Sequence, residues 1–499
     1  MSRTSPLAAA PVASSPTRPA GQAPGPDLGP VEAIRRLRAD PLGRLTELGR
    51  DHGPVARLTS WPVSAYLVTD LDAIADVLVS GHRVYAKGAV RRGPGARRTV
   101  VQPLALLLGE GLLTSSGDVH RQQRRLMQPL FHKQRIASYV DTFGATAEET
   151  VAGWRDGQHL DVHAEMTEMT LAIVTRTLFG VDLDSQFADI IRTALDQVMP
   201  AARRATMPGF TTLERLPLGG SRRRREATAA MDRAIHEMIA ARRATGATGD
   251  DLLSLLLAAR DADTGAPMSD TQIRDEALTL LLAGHETTAN ALAWTFHLLG
   301  DQPQVLATLR DELDEVLGER RATADDVAKL TYCNAVLMEA MRLYPPVWAM
   351  ARHLVEDRDI AGHRLPAGST VVMSQWVVHR DERWWPRPER LDPTRWTKAR
   401  TAGAAGTPPP ASTGARHRFA YFPFGAGPRQ CIGNTFALTE GVLALASIAR
   451  HWSFTPATST PVTPVPMVTL RPRNGLPMIA HRRQEESPLP AGPTAPTRG

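Results

Sequence analysis

The sequence predicts a single large domain, mainly α with a small β region. Two observations predict it. Over most of the chain apolar residues recur at helical spacing, and the runs break at glycine and proline. Strand-like stretches are few: Val55 to Leu58 and Tyr66 to Val68 flank a turn carrying Trp61-Pro62, and Asn474-Gly475 marks a hairpin turn near the end. The chain has 499 residues, 42% of them hydrophobic, enough for a large core. Residues 1–28 and 483–499 are rich in Pro, Ala, Ser and Gly and read as disordered tails, leaving 29–482 as the domain, without internal repeats.

Composition excludes several classes. Only 2 cysteines occur, Cys333 and Cys431, too few for a disulfide scaffold or a cysteine-rich zinc or iron–sulfur site, and they fit a reducing cytoplasm. The net charge of +6 permits an acidic partner without being a nucleic-acid footprint. No stretch approaches the roughly 20 apolar residues that span a bilayer. Leu7 to Ala13 is too brief, and too broken by Pro11, for a signal peptide.

Taken in order, Lys87 to Leu113 reads as a long irregular loop with a Gly-Pro-Gly turn, which suits a lid. A helix follows Gly117, and on it His120 and Arg124, four apart, share a face; alone, that is also what a solvated basic face looks like. Met199 to Arg225 is broken by Pro200, Pro208 and Pro217 and ends in four arginines, Arg222 to Arg225. With no aromatic platform beside them, they read as a solvated loop over a lid and not as a nucleic-acid site.

Ser269 and Gln272 form a capping box and Gly300 offers a stop, so the intervening helix would be about 45 Å long. Leucines crowd its middle, which implies burial all round, yet Gly284, Glu286, Thr287 and Thr288 interrupt them. A kinked helix with water-satisfied polar groups is one reading; a polar site within the core is the other. Glu339 and Arg342, three apart among Val336, Leu337 and Met341, read as a buried pair needing a further partner. Pro345-Pro346 ends that helix, and Val347 to Ala351 runs extended toward Arg352.

The most informative stretch is Phe424 to Gly433. Its glycines loosen a loop that presents Cys431 at the mouth of a helix running through Phe436, Leu438, Val442, Leu443 and Ile448. A helix N-terminus favours thiolate over thiol, Arg429 adds a cation, and glycine lets amides approach the sulfur. A lone cysteine before an apolar helix is by itself an ordinary small buried residue. Phe-x-x-Gly-x-Arg-x-Cys-x-Gly is a far more specific pattern. There the sequence resembles the cytochrome P450 family, the haem-thiolate monooxygenases, through Phe424, Gly427, Arg429, Cys431 and Gly433. Ala283-Gly284-His285-Glu286-Thr287-Thr288 resembles that family's acid–alcohol motif. Glu339, Arg342 and Arg395 resemble its Glu–Arg–Arg cluster, with Trp396 where members often have Phe.

The resemblance implies the cytochrome P450 fold and one haem b (iron protoporphyrin IX), with Cys431 as the iron ligand. It implies that His120, Arg124, Arg352 and Arg429 hold the propionates and that Ala283 and Gly284 leave room for dioxygen. Thr287 would donate a hydrogen bond to the oxygen and Glu286 would relay protons, while His285 is outward or structural. Val347, Trp348 and Ala349 would line the substrate cavity, with Val465, Met467 and Val468 as a further wall. The implied reaction inserts one atom of O2 into a C–H bond of an apolar small molecule. A terpenoid, fatty acid, polyketide or steroid-like substrate fits, and the region from Glu339 to Trp396 resembles bacterial terpene-pathway members. With no flavin or dinucleotide segment, electrons would come from a ferredoxin and its reductase, docking on Arg121, Arg125, Lys133 and Arg135. The chain would be a cytoplasmic monomer without membrane anchor or nucleic-acid partner. A peroxide-driven peroxygenase and a non-catalytic haem protein are the alternatives.

Overall fold

The computed structural model describes residues 23–484 apart from 61–63, 88, 93–97, 102–103, 182–188, 192, 195–218, 247–248, 262–263 and 398–416. Both tails expected from composition lie mostly outside the described residues. At their inner edge Ala23 is buried, and the Arg57 N–H donates to the Pro24 carbonyl at 2.6 Å.

The helix Asp270–Gly300 runs through the middle of the molecule. Its capping box is complete: Gln272 N–H donates to Ser269 Oγ at 3.2 Å, and Ser269 N–H to Gln272 Oε1 at 3.0 Å. Those bonds fix where the helix starts, and burial does the rest, since Ile273, Leu278, Leu281, Leu292 and Phe296 all lie in the core. Val162–Phe179 packs along it, and Thr170 Oγ1 donates across the contact to the carbonyl of His285 at 3.0 Å. Thr331–Leu343 and Asn434–His451 pack on it from other sides. Among the described residues no helix is long and apolar enough to cross a membrane.

The β structure lies at the margins. A five-stranded sheet has the order Val55–Thr59, Ala65–Val68, Thr370–Met373, Met350–Leu354, Tyr85–Ala86. The expected antiparallel pair is there, Val55 opposite Val68, although 61–63 lie outside the described residues. Thr370–Met373 joins it in parallel, and Arg352 sits opposite Val371. A second sheet orders Trp452–Pro456, Pro477–Arg482 and Gln158–Asp161.

Three local expectations change. Asn474 and Gly475 have φ of 62° and 81°, as a tight turn requires, but no hairpin results. Leu470–Pro472 pairs with Pro464–Pro466 while Pro477–Arg482 pairs elsewhere, so the turn joins two sheets. Arg222 to Arg225 are not a loop: they open the helix Gly219–Thr245. No proline follows Pro217 there, Arg and Ala are good helix formers, and Met231, Ile235 and Ile239 bury one face. Finally, Lys87 to Leu113 is not wholly irregular. Ala89–Arg92 pairs with Arg98–Val101, and Ala105–Leu108 makes one helical turn.

Candidate active site

The cysteine loop is built by its own backbone. Cys431 N–H donates to the Phe424 carbonyl at 2.9 Å, Gly425 N–H to Phe422 O at 3.0 Å, and Gln430 N–H to Gly427 O at 3.0 Å. Gly427 has φ +69°, and a Cβ there would stand 2.0 Å from the carbonyl oxygen of Leu78. Glycine is therefore required twice over, by dihedral and by contact.

Protein atoms surround Cys431 closely, yet its side chain keeps accessible surface. A group of that kind faces an internal chamber. Burial pushes the Cys431 thiol up, opposed by the Gly433 N–H and then the Arg124 guanidinium. The helix begins only at Asn434, so the sulfur stands ahead of its first turn, where the dipole has faded. Arg124, bonded to the Gln430 carbonyl, is the cation that acts on the sulfur. Arg429 instead sends Nη2 to the Ser115 carbonyl at 2.8 Å.

Along the central helix one stripe stays open in an otherwise buried element: Leu280, Ala283, Gly284 and Thr287. Their spacing puts them on one face. Thr287 Oγ1 donates to the Ala283 carbonyl at 2.7 Å. Ala283 is the exposed member, whereas a Cβ on Gly284 would come within 3.1 Å of Val174, so its smallness admits the neighbouring helix. Leu280 and Ile432, the residue after the cysteine, pack against the same apolar cluster, together with Leu113, Phe131 and Val468. Of the other expected wall, Trp348 Nε1 donates to the Met467 carbonyl at 2.9 Å.

Glu286 is buried and faces the C-terminal strand region. It pairs with Arg471 at 2.7 Å and accepts from Thr469 Oγ1. Asn290 Nδ2 reaches Thr469 at 3.2 Å, and Asn290 Oδ1 lies 3.0 Å from His163 Nε2. Sequence reasoning missed these partners. Asn290, one turn beyond Glu286, shows in the helical spacing; Arg471 and Thr469 leave no local signal. His285 is buried with Nδ1 on the Leu281 carbonyl at 2.7 Å, and burial pushes its pKa down. It is a structural residue.

The four residues expected at the propionates, His120, Arg124, Arg352 and Arg429, lie within electrostatic reach of one another. Burial lowers Arg352 to about 10, and burial with Arg352 lowers Arg429 to about 10. Burial, Arg429, Lys87, Arg124 and Arg352 together push His120 down to about 4. Lys87, which sequence reading left in a loop, belongs to the cluster and is lowered to about 7 by burial, Arg429 and Arg352. Among the described residues no carboxylate forms an ion pair with Arg124, Arg352 or Arg429, and the buried Nη1 of Arg429 has no hydrogen-bond partner. So much buried positive charge is stable only opposite anions. Haem fits: two propionates would meet the cations, and a metal held within the porphyrin needs only Cys431 from the protein. Among the described residues no three His, Cys, Asp or Glu gather that could hold a metal without such a group.

Part of the basic outer surface is already paired, Arg121 with Asp118, Arg125 with Asp261 at 3.8 Å and Arg135 with Asp250 at 2.8 Å.

A mainly helical fold with a cysteine loop and an alcohol-bearing central helix packed against one apolar cluster defines a haem-thiolate protein. Comparison with known proteins agrees. The family described as Cytochrome P450 matches residues 19–477. The chain is 39% identical over 421 residues to cyclooctatin synthase of Streptomyces melanosporofaciens, covering 84% of this chain and 87% of that protein. It is 34% identical over 454 residues to pentalenene oxygenase of Streptomyces avermitilis, covering 90% and 95%. The crystal structure of the cytochrome P450DA heme domain superimposes with a TM-score of 0.79 at 27% identity, covering 94% of this chain and 99% of that one. The chain belongs to the cytochrome P450 family and is a haem-thiolate monooxygenase.

Proposed function

We propose that this monooxygenase oxidises a terpenoid, inserting one oxygen atom of O2 at a C–H bond, with haem b as cofactor and a ferredoxin and its reductase as electron donors. The observation that carries the reading is the open stripe at Ala283 and Thr287, in the same apolar surroundings as the Cys431 loop. The names of two similar proteins, cyclooctatin synthase and pentalenene oxygenase, support the substrate class. Bound haem would supply the redox chemistry that activates dioxygen.

The chain's own residues have separate tasks. Cys431 would ligate the iron, with the Gly433 amide moderating its donation. His120, Arg124, Arg352 and Arg429 would hold the propionates and so fix the ring's orientation. Phe424 supplies the carbonyl that closes the loop. Thr287 would hold a proton at Oγ1 toward the chamber, exchanging its bond to Ala283 O for one to the reacting oxygen. Glu286, paired with Arg471 and accepting from Thr469 Oγ1, would replenish that proton from outside. Leu113, Leu280, Ile432 and Val468 keep water from the substrate. The chain acts as a cytoplasmic monomer.

The test is spectral, then catalytic. The reduced protein with carbon monoxide should show a thiolate-type absorption, and terpenoids should shift the Soret band. Product should form with ferredoxin, its reductase and NADPH. Turnover by the chain and NADPH without partner proteins would refute the electron-donor assignment, and a histidine-type spectrum would refute the whole reading.

A further inference from the structure

The polar network around Glu286 has a direction. Glu286 and Asn290 stand one turn apart on the central helix, while Thr469 and Arg471 lie two apart at the strand Leu470–Pro472, so each pair shares a face. Thr469 Oγ1 donates to Oε1 of Glu286, and Arg471 Nε reaches the same oxygen at 2.7 Å. Among the described residues no group bonds to Oε2. Asn290 is fully buried; its Nδ2 donates to Thr469 Oγ1 at 3.2 Å, and its Oδ1 faces His163 Nε2 at 3.0 Å.

An amide oxygen accepts and does not donate, so His163 meets it with hydrogen on Nε2. Burial and then Arg471 push the pKa of that ring down, against Asn290, Asp161 and Glu286. Near neutral pH the ring is therefore uncharged, and only one of its nitrogens carries hydrogen. Its place is fixed by the backbone: His163 N–H donates to Asp161 Oδ1 at 3.0 Å, and the same oxygen holds the Leu476 N–H at 2.8 Å. With Nε2–H on Oδ1 the Asn290 amide cannot turn over. Its NH2 then occupies a lone pair of Thr469, and the single hydroxyl hydrogen of Thr469 is left for Glu286. Turned over, the amide would claim that hydrogen, and Oε1 would face hydroxyl lone pairs. A proton on Glu286 would then settle on Oε1, shut in by Thr469 and Arg471.

We infer that His163 is a positioning residue for proton delivery: acting through Asn290 and Thr469, it keeps Oε1 of Glu286 an acceptor, so that the proton passed toward Thr287 is held at Oε2. The inference rests on the reading of Glu286 as the proton source. Each proton given up at Oε2 is replaced from solvent water.

The experiment uses haem-loaded wild type, H163L, H163Q, T469V, T469S, E286Q and the double variant H163L/E286Q. Heteronuclear NMR of histidine-labelled, reduced, carbon monoxide-bound protein should show hydrogen on His163 Nε2, the signal being assigned by its absence in H163Q. The kinetic arm is NADPH-driven oxygen reduction with ferredoxin and its reductase, in light and heavy water, with the terpenoid probe β-ionone. H163L and T469V should slow it about tenfold, the contribution of one hydrogen bond, and enlarge the solvent isotope effect. H163Q, whose amide nitrogen reaches as far as Nε2, and T469S should restore both. Once E286Q is present H163L should add nothing, because the task it serves is already lost. Hydrogen on Nδ1 alone overturns the assignment. So does a wild-type rate and isotope effect in H163L, an H163Q as slow as H163L, or a further loss of the same size in the double variant. If H163L does not bind haem, T469V carries the test, and a wild-type T469V overturns the assignment. An E286Q with the wild-type rate would instead bring down the reading of Glu286 itself.

Discussion

The indole Nε1 of Trp396 donates to Oε2 of Glu339 at 2.8 Å. Both residues are buried, and the same carboxylate accepts from Arg342 at 2.9 Å and Arg395 at 3.1 Å. The tryptophan that departs from the family's usual phenylalanine thus adds a donor to the Glu–Arg–Arg cluster. Its ring also packs on Tyr421, with centroids 4.6 Å apart. W396F keeps most of the packing and loses one bond to a buried carboxylate, so it should cost about 1.5–3 kcal/mol. E339A strands two arginines and should cost about 3–5 kcal/mol or prevent folding. Urea denaturation of the haem-loaded variants gives both values, and a W396F midpoint equal to wild type would contradict the first.

G427A should abolish the thiolate-type spectrum. Its methyl would stand 2.0 Å from the Leu78 carbonyl at a φ of +69°, and backbone cannot yield as a side-chain tip can. G433A is the contrast: φ there is −90° and the nearest group is Phe131 at 3.8 Å, so haem binding should survive. Carbon monoxide difference spectra of the two variants decide.

Glu286 and Thr287 should separate kinetically. E286Q keeps the shape and loses the proton, so turnover should fall by about a hundredfold, with an enlarged solvent isotope effect. T287A should instead consume oxygen at a comparable rate while releasing peroxide in place of product. R471Q removes the cation paired with Glu286 and should lower turnover toward the E286Q level. Oxygen, peroxide and product measured together on each variant distinguish the three.

Glu276 should make stability depend on pH. Burial, reinforced by the charge of Asp275 and opposed by the Leu112 N–H, raises it from 4.5 to about 8. The folded state therefore holds this proton more tightly than the unfolded chain. The contribution is fully present below pH 4.5 and is lost as the pH rises to about 8. The loss is on the order of 5 kcal/mol at most. E276Q cannot ionise, so its urea midpoint should fall less than that of wild type between those limits. Parallel slopes would show that Glu276 does not titrate there.

What local spacing encodes was legible. The capping box at Ser269 and Gln272, the Glu339–Arg342 pair and the Cys431 loop each lie within a few residues, and short-range geometry follows from residue type. The chemistry of the centre was likewise readable, because a lone cysteine in that pattern and an acid–alcohol step on an apolar helix have few other uses. Long-range pairing decided the rest. The union of Lys87 with Arg352 and Arg429, the hold of Arg471 on Glu286 and the bond from Trp396 to Glu339 depend on segments that meet only after folding. So does the approach of Arg124 to the Cys431 loop, through the Gln430 carbonyl. Sequence by itself determined which groups the protein has for its chemistry. Tertiary structure decided their neighbours, and in a low-dielectric interior the neighbours set charge, proton affinity and strength of hold.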